Sequence, residues 1–462
     1  MNIVTQNTAN EQVSGTISCF VRKYGIRDLL EKCNARKEKG VAVLNIFLYL
    51  LQNVFADRSM YMQQKTGRYQ KSFSKNAYYR FLNSVKTNWQ RFTTLLSARI
   101  INESLRPLTD EKRRDAFIID DTLYSRTGYK KTELCSRVFD HAHMRYRKGF
   151  RLLTLGWSDG SSFMPINSCL LASPNEQNIL GTTTAYDKRS LAGRRRQQAR
   201  RKGTEVMIEL LSAALKAGHR ARFVLFDSWF SAPRQIVEIK DMGLDTIAMV
   251  KLSSKVHYNY NGEWLSIKQI YSRNRKRPGR SKYLLSVNVL VGKDKPGEHS
   301  IPAKIVCVRN RNNHKDWLAI LCTDTSLSEE EIIRIYGKRW DIEVFFKTCK
   351  SYLKLLTECH SLSYDALTAH VAVVFTRYML LSLERRKDQD DRTIGELFLH
   401  IVDELADISF NHSLQLILVA MLDSICSVFH ATEEQLSLFT AEFISRLPDY
   451  LKQSFLPLLH AV

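Results

Sequence analysis

The sequence predicts a chain of α/β class: a mixed sheet flanked by helices, with a β-rich insertion and helical regions at both ends. Three observations carry this. Apolar residues recur at helical spacing from Val41 to Phe55, and again near Tyr78 to Leu82, before any strand signal. Two apolar runs, Phe150 to Trp157 and Phe163 to Leu171, flank the turn Ser158-Asp159-Gly160-Ser161, which marks an antiparallel hairpin. A helix (Glu205 to Ala217), a strand (Arg222 to Phe226), a helix (Pro233 to Met242) and a strand (Asp245 to Lys251) then alternate, which adds parallel strands to the same sheet.

In chain order, residues 1–105 read as a helical region. Ala116-Phe117-Ile118-Ile119 is a continuous apolar strand that runs into Asp120-Asp121-Thr122. The hairpin follows, then a basic stretch from Lys188 to Lys202 that reads as a loop, with Arg194, Arg195, Arg196, Arg200 and Arg201. Residues 253–325 turn rich in Tyr, Val, Asn, Gly and Lys, with strand-like pieces at Tyr283 to Val291 and Ala303 to Val308, and read as a β-rich insertion. Helices resume at Ser328 and are broken by the charged loop Glu384 to Arg392. The expected divisions are 1–105, a core split into 106–252 and 326–383 around the insertion 253–325, and a helical region 384–462 suited to oligomerisation.

Composition narrows the partner. Sixty-nine Lys and Arg against 47 Asp and Glu give a net charge of +22, an excess that favours a polyanion through counterion release. The basic residues cluster in loop-like stretches and form no amphipathic stripe, which argues against a membrane surface. The longest apolar stretches are interrupted, Val41 to Ala56 by Asn45, Gln52 and Asn53, and Ala366 to Leu383 by His370 and Arg377. Both read as core helices and not as membrane spans. Nine scattered cysteines with no C-x-x-C pair fit reduced thiols and no zinc site. With a polar Met1 to Val13 that does not read as a signal peptide, they lead to an expected cytoplasmic location.

The acidic residues have a pattern. Asp120 ends one apolar strand and Asp227 ends another, Phe223-Val224-Leu225-Phe226. A single Asp at a strand end is usually a turn former or a helix cap. Two in one sheet, with a Glu to follow on a helix, point to metal chemistry. That helix is read from Tyr336 to Lys350. At about 100° per residue, Tyr336, Arg339, Glu343 and Lys350 share a stripe about 60° wide. Ile335, Ile342, Phe346, Cys349 and Leu353 form an apolar stripe beside it. The plain alternative is a solvated face with an ordinary Arg339–Glu343 pair.

The spacing Y-x2-R-x3-E-x6-K resembles the signature of one large branch of prokaryotic insertion-sequence transposases of the DDE superfamily, which have a ribonuclease H-like catalytic fold. Ile118-Ile119-Asp120-Asp121-Thr122 resembles that family's apolar-strand D-x-T, and Leu225-Phe226-Asp227-Ser228 its second-Asp strand. Phe139-Asp140-His141, Lys148-Gly149-Phe150 and Trp157-Ser158-Asp159-Gly160 also look typical, so the likeness spans roughly residues 115–380. The predicted order of hairpin, helix, strand, helix, strand and late acidic helix agrees with such a core, and the branch carries a β-rich domain where the insertion falls.

The resemblance implies cut-and-paste transposition with two magnesium ions, manganese being a substitute, held by Asp120, Asp227 and Glu343. Asp120 would bridge both ions. Asp121 is its rival, and the D-x-T spacing to Thr122 favours Asp120. Water would attack first and a freed 3′-hydroxyl later, with a hairpin intermediate. Tyr336, Arg339 and Lys350 would grip phosphates. The expected partners are the element's terminal inverted repeats and target DNA, bound by a homodimer at the nucleoid. Residues 1–105 would bind the element ends, with Ser74 to Leu82 as a recognition helix presenting Lys75 and Arg80, or else as a plain amphipathic helix. The clusters Arg194 to Lys202, Arg273 to Lys282 and Arg309 to Lys315 would follow DNA backbone, or else be solvated loops. Trp317 is either core or, as the resemblance implies, the support of a flipped base. His141 and His143 lack partners at ligand spacing and read as structural. Two other functions stay open, a nuclease without strand transfer and a DNA-binding descendant that no longer cuts.

Overall fold

The computed structural model describes residues 15–37, 39–56, 59–67, 69, 71, 73–109, 114–140, 144–278, 281–292, 299–310, 316–387, 393–448 and 451–452. Among the described residues six helices come first: α1 (Gly15–Lys23), α2 (Ile26–Lys32), α3 (Val43–Asn53), α4 (Met60–Lys65), α5 (Lys75–Leu82) and α6 (Trp89–Ile100), the last running into a π-helical turn, Ile101–Leu105. Ser74 caps α5 by accepting from the Ala77 amide, and Asn88 caps α6 from the Arg91 amide, each satisfying a backbone donor that the helix start leaves open. Phe47, Trp89 and Phe92 meet ring to ring where α3 crosses α6.

The sheet begins with β1 (Ala116–Ser125), β2 (Ser136–Asp140), β3 (Arg145–Ser158) and β4 (Phe163–Leu171). Helices α7 (Leu191–Ala199) and α8 (Gly203–Lys216) lead to β5 (Phe223–Phe226), and α9 (Pro233–Asp241) leads to β6 (Asp245–Met249). β3 runs antiparallel to both β1 and β4, while β5 is parallel to β1 and to β6. The resulting order β4-β3-β1-β5-β6 is a mixed, ribonuclease H-like arrangement. The β3–β4 turn is fixed by Asp159, whose carboxylate accepts from the amides of Ser161 and Ser162, with Gly160 at φ 90°. β2 was not foreseen; its five residues alternate in burial too briefly to stand out in the sequence.

Residues 253–325 hold β7 (His257–Tyr260), β8 (Glu263–Ser266), α10 (Ile267–Arg273), β9 (Leu285–Gly292), β10 (Ser300–Arg309) and β11 (Trp317–Cys322). β11 pairs antiparallel with β6, Cys322 opposite Ile247, so these strands continue the central sheet as β11-β10-β9-β7-β8. All eleven strands belong to one sheet.

Five helices follow among the described residues: α11 (Glu329–Gly337), α12 (Trp340–Ser351), α13 (Tyr364–Lys387), α14 (Ile394–Phe429) and α15 (Glu433–Ser445). α13 is long and apolar enough to cross a membrane, but its most apolar window is 94% buried in the fold, the packing of a core helix. Arg377 lies within it at 0% exposure, held by the Glu358 carboxylate and by the carbonyls of Leu50 and Leu51 at the end of α3. Gln90 of α6 reaches the Ser168 carbonyl of β4. The N-terminal helices, the sheet and α13 thus share a single core, which runs from Ile17 to Ile401. All nine cysteines are free thiols, seven of them buried.

Candidate active site

β1 and β5 run side by side with Ile118 opposite Leu225. Asp227 directly follows the end of β5 at Phe226, near enough for its charge to act on Asp120. Asp120 lies midway along β1 and does not end that strand as the sequence suggested, because the polar residues after it stay paired with β3. The carboxyl of Asp120 is pushed up to about 7 by burial first, then by the facing charges of Asp227 and Asp121, against the pull of Arg339 and the Asp121 amide. Asp227 accepts from the Trp229 amide at 2.9 Å, which fixes the turn after β5. Asp121 points elsewhere: it pairs with Arg151 of β3. Neighbouring residues on a strand face opposite sides, so only one of the two aspartates can share a face with Asp227.

The single helix expected from Tyr336 to Lys350 is interrupted. α11 ends at Gly337 and α12 begins at Trp340, because the amides of Lys338 and Arg339 bond to carbonyls three residues back instead of four. Both residues keep right-handed helical dihedrals, so the break leaves the predicted stripe largely aligned. Arg339 stands at the break and holds two carboxylates, Asp120 at 3.2 Å through Nη1 and Glu343 at 2.5 Å through Nη2. Burial alone would lower its basicity, but the adjacent Tyr336, Asp120 and Glu343 hold its charge in place. The Tyr336 ring lies 6.0 Å from that guanidinium, and its phenol is pushed up to about 12, chiefly by burial. Lys350, one helical segment on, donates to the Thr122 hydroxyl at 2.6 Å. Thr122 lies two residues beyond Asp120 on the same face of β1. Burial lowers the Lys350 ammonium, opposed by Asp140. Ile335, Ile342, Phe346, Cys349 and Leu353 are all buried, as the apolar stripe required.

These residues fit a hard divalent cation in donor type, since every candidate ligand is a carboxylate oxygen. The raised Asp120 carboxyl has the same sense, because two like charges held together are relieved by a cation between them. Among the described residues no three His, Cys, Asp or Glu stand together in ligating positions. Glu343 is turned onto Arg339 and would have to leave it to join the aspartates.

The model of one family, described as DDE superfamily endonuclease, matches residues 48–311, more than half of the chain. The chain belongs to that family. The matched span includes Asp120 and Asp227 and stops short of Glu343. Among solved structures, the piggyBac transposase synaptic complex with hairpin DNA is similar at 12% identity and a TM-score of 0.46, over 85% of this chain and 80% of that one. No curated protein matches the sequence.

In this DDE endonuclease the remaining predicted residues lie apart from the acidic pair. Lys75 and Arg80 are exposed on α5 and make contacts within it, Lys75 over the Tyr79 ring and Arg80 to the Asn76 carbonyl. Arg80 also lines a cleft of about 420 Å³ with Arg36, Lys37 and Lys39, a basic concavity in the N-terminal helices. Trp317 opens β11 and is half-buried, stacked on Tyr271 with ring centroids 4.0 Å apart and planes 12° from parallel.

The basic stretch 188–202 is not the loop expected. It contains α7, and most of its arginines are engaged: Arg195 and Arg196 with Asp365 and Glu133, Arg200 with Glu176, Arg201 with Glu205 and Glu209. Arg195 and Arg196 form an internal brace with partners far along the chain, while Arg194, Arg201 and Lys202 remain exposed. Within Arg273 to Lys282, Arg273 pairs with Glu263 and Lys282 with Glu330. Residues 311–315 of the third cluster, and His141 and His143, lie outside the described residues.

Two residues beside the acidic pair escaped the sequence reading. Arg151 lies on β3 against Asp121, and Trp229 is 50% exposed in the turn just past Asp227. The available signal was the run Asp227-Ser228-Trp229-Phe230, where an aromatic stands in a polar turn outside any apolar period.

Proposed function

We propose that this DDE endonuclease is a transposase of the insertion-sequence branch, which cuts an element from DNA and joins it elsewhere by way of a hairpin at the cut end. The observation that carries this reading is the closeness of Asp120 on β1 to Asp227 just past the adjacent parallel β5, with Arg339 bridging Asp120 to Glu343 from the helix break. Asp120, Asp227 and Glu343 would hold two magnesium ions, which when bound supply charge stabilisation at the attacking and leaving oxygens.

The chain's own residues do the rest. Asp120, midway along β1, and Asp227, just past β5, set an acidic floor against which a phosphodiester can sit only with cationic help. Arg339 supplies a fork of donors beside them, able to turn from carboxylate to phosphate because both present paired oxygens. Lys350, anchored on Thr122, offers a point charge further along the same face. The half-buried Tyr336 supplies a neutral hydroxyl donor, its weakened acidity keeping the proton in place. The basic cleft around Arg80, Arg36, Lys37 and Lys39 suits the grip on duplex ends, and a homodimer would bring two such ends together.

The test is incubation of the full chain with magnesium and DNA carrying candidate element ends, with cleaved, hairpin and joined products mapped at nucleotide resolution. Cleavage followed by joining supports the reading. Hydrolysis without joined products makes the protein a nuclease, and tight end binding without cleavage makes it a DNA-binding descendant.

A further inference from the structure

Trp229 sits two residues past Asp227, in the turn between β5 and α9, with half of its large apolar surface exposed. Its position is well defined. The Trp229 amide donates to the Asp227 carboxylate, and the next residue, Phe230, is buried at 1% exposure and pins the turn to the core. Two cations stand over the indole, the Arg151 guanidinium at 5.5 Å and the Lys251 ammonium at 5.8 Å from the ring centre. Arg151 belongs to β3 and pairs with Asp121, while Lys251 follows β6, so positive charge reaches the ring from two separate elements.

An exposed indole is a stacking surface, and every nucleobase offers a matching face. Cations beside it attract the phosphates on either side of a stacked base, which is the composition of a single-strand platform. Trp317, the tryptophan for which the sequence suggested such a role, already has one face covered by Tyr271. Trp340 is exposed as well, but among the described residues no cation stands over its ring.

We infer that Trp229 is a base-stacking platform beside the acidic pair, which takes the first unpaired base of a DNA strand while Arg151 and Lys251 hold its flanking phosphates. The inference rests on the reading of the site as one that works on DNA.

The test uses the full chain and a duplex with a short thymidine overhang whose first unpaired base is 2-aminopurine. Anisotropy reads binding, and 2-aminopurine emission reads stacking. The wild type should bind at low salt and quench the probe. Trp229→Ala should lose the quench and bind roughly 5- to 150-fold more weakly, the worth of one base–aromatic stack. Trp229→Phe should recover part of both, which a merely structural loss would not allow. Lys251→Gln should leave the quench and lower the salt dependence of binding by about one counterion. If Trp229→Ala quenches and binds as the wild type does, the platform is overturned while the DNA reading stands. If the wild type binds no DNA at low salt, both fall together.

Discussion

The guanidinium of Arg339 lies 3.2 Å from the Asp120 carboxylate, across the seam between the helix break and the middle of β1. With Glu343 on its other nitrogen, Arg339 ties two of the three candidate ligands together. Removing it leaves Asp120 beside the charges of Asp227 and Asp121 without its cation. Arg339→Ala should therefore slow single-turnover cleavage by roughly ten- to a hundredfold, the worth of a charge-assisted contact. Arg339→Lys should not restore it, since one ammonium cannot present a planar fork to two partners. A wild-type rate in the lysine variant would reduce Arg339 to a simple surface charge.

The three carboxylates give a second prediction. Asp120→Asn, Asp227→Asn and Glu343→Gln keep shape and remove charge. Each should abolish cleavage, while gel-shift affinity for end DNA stays within about twofold, because ligation and DNA grip use different residues. Asp121→Asn is the internal control: it frees Arg151 and should lower activity far less. If Asp121→Asn abolishes cleavage and Asp120→Asn does not, the two neighbours exchange roles.

How much of this was legible in the sequence depends on the length scale of each signal. The apolar runs before Asp120 and Asp227 are consecutive, and their fate in a two-sided buried sheet follows directly, but β1 continues past Asp120 to Ser125 because its polar residues pair with β3. The alignment of the two runs is not local, because it is set by the β1–β5 register. The apolar face of α12 was readable from its period, but the break before Arg339 was not, since Tyr336-Gly337-Lys338-Arg339 differs little from any helical run. The least legible parts were long-range ion pairs. Nothing near Arg195 and Arg196 in sequence announces that Asp365 will neutralise them, so these two members of a basic stretch read as a loop form an internal brace.

A third prediction concerns the join between the N-terminal helices and the core. Burial would raise the Glu358 carboxyl, but the Arg377 charge and its hydrogen bond win and hold it down at about 2. A depressed carboxyl stabilises the fold above its unfolded value and loses that contribution as pH falls through the folded one, so this pair holds until about pH 2. At neutral pH, Glu358→Ala strands the fully buried Arg377 and should cost about 3–5 kcal/mol in urea unfolding. The N-terminal helices should loosen first, seen as faster amide exchange in α3, whose Leu50 and Leu51 carbonyls Arg377 also holds. Unchanged exchange in α3 would show that the pair does not join the two regions.

Acid sensitivity at milder pH should come from two buried histidines. The Nε2–H of His219 donates to the Thr94 carbonyl at 3.0 Å, with the Ser97 hydroxyl 3.3 Å from the same nitrogen. Burial, helped by Arg106, lowers it to about 4. His370 is lowered to about 4 as well, by burial first, with Glu358 pulling the other way. A base depressed in the fold takes its proton in the unfolded chain first. Between the unfolded value near 6.5 and the folded value near 4 the unfolded state therefore binds more protons, and stability falls as pH falls. Each histidine can withdraw at most about 3 kcal/mol across that window. Urea midpoints measured from pH 7.5 down to 4.5 should drop steadily for the wild type. The doubly substituted His219→Gln, His370→Gln chain starts less stable, since glutamine fills both sites imperfectly, but its midpoint should change far less with pH. Equal slopes in the two proteins would assign the acid sensitivity to carboxylates instead of these histidines.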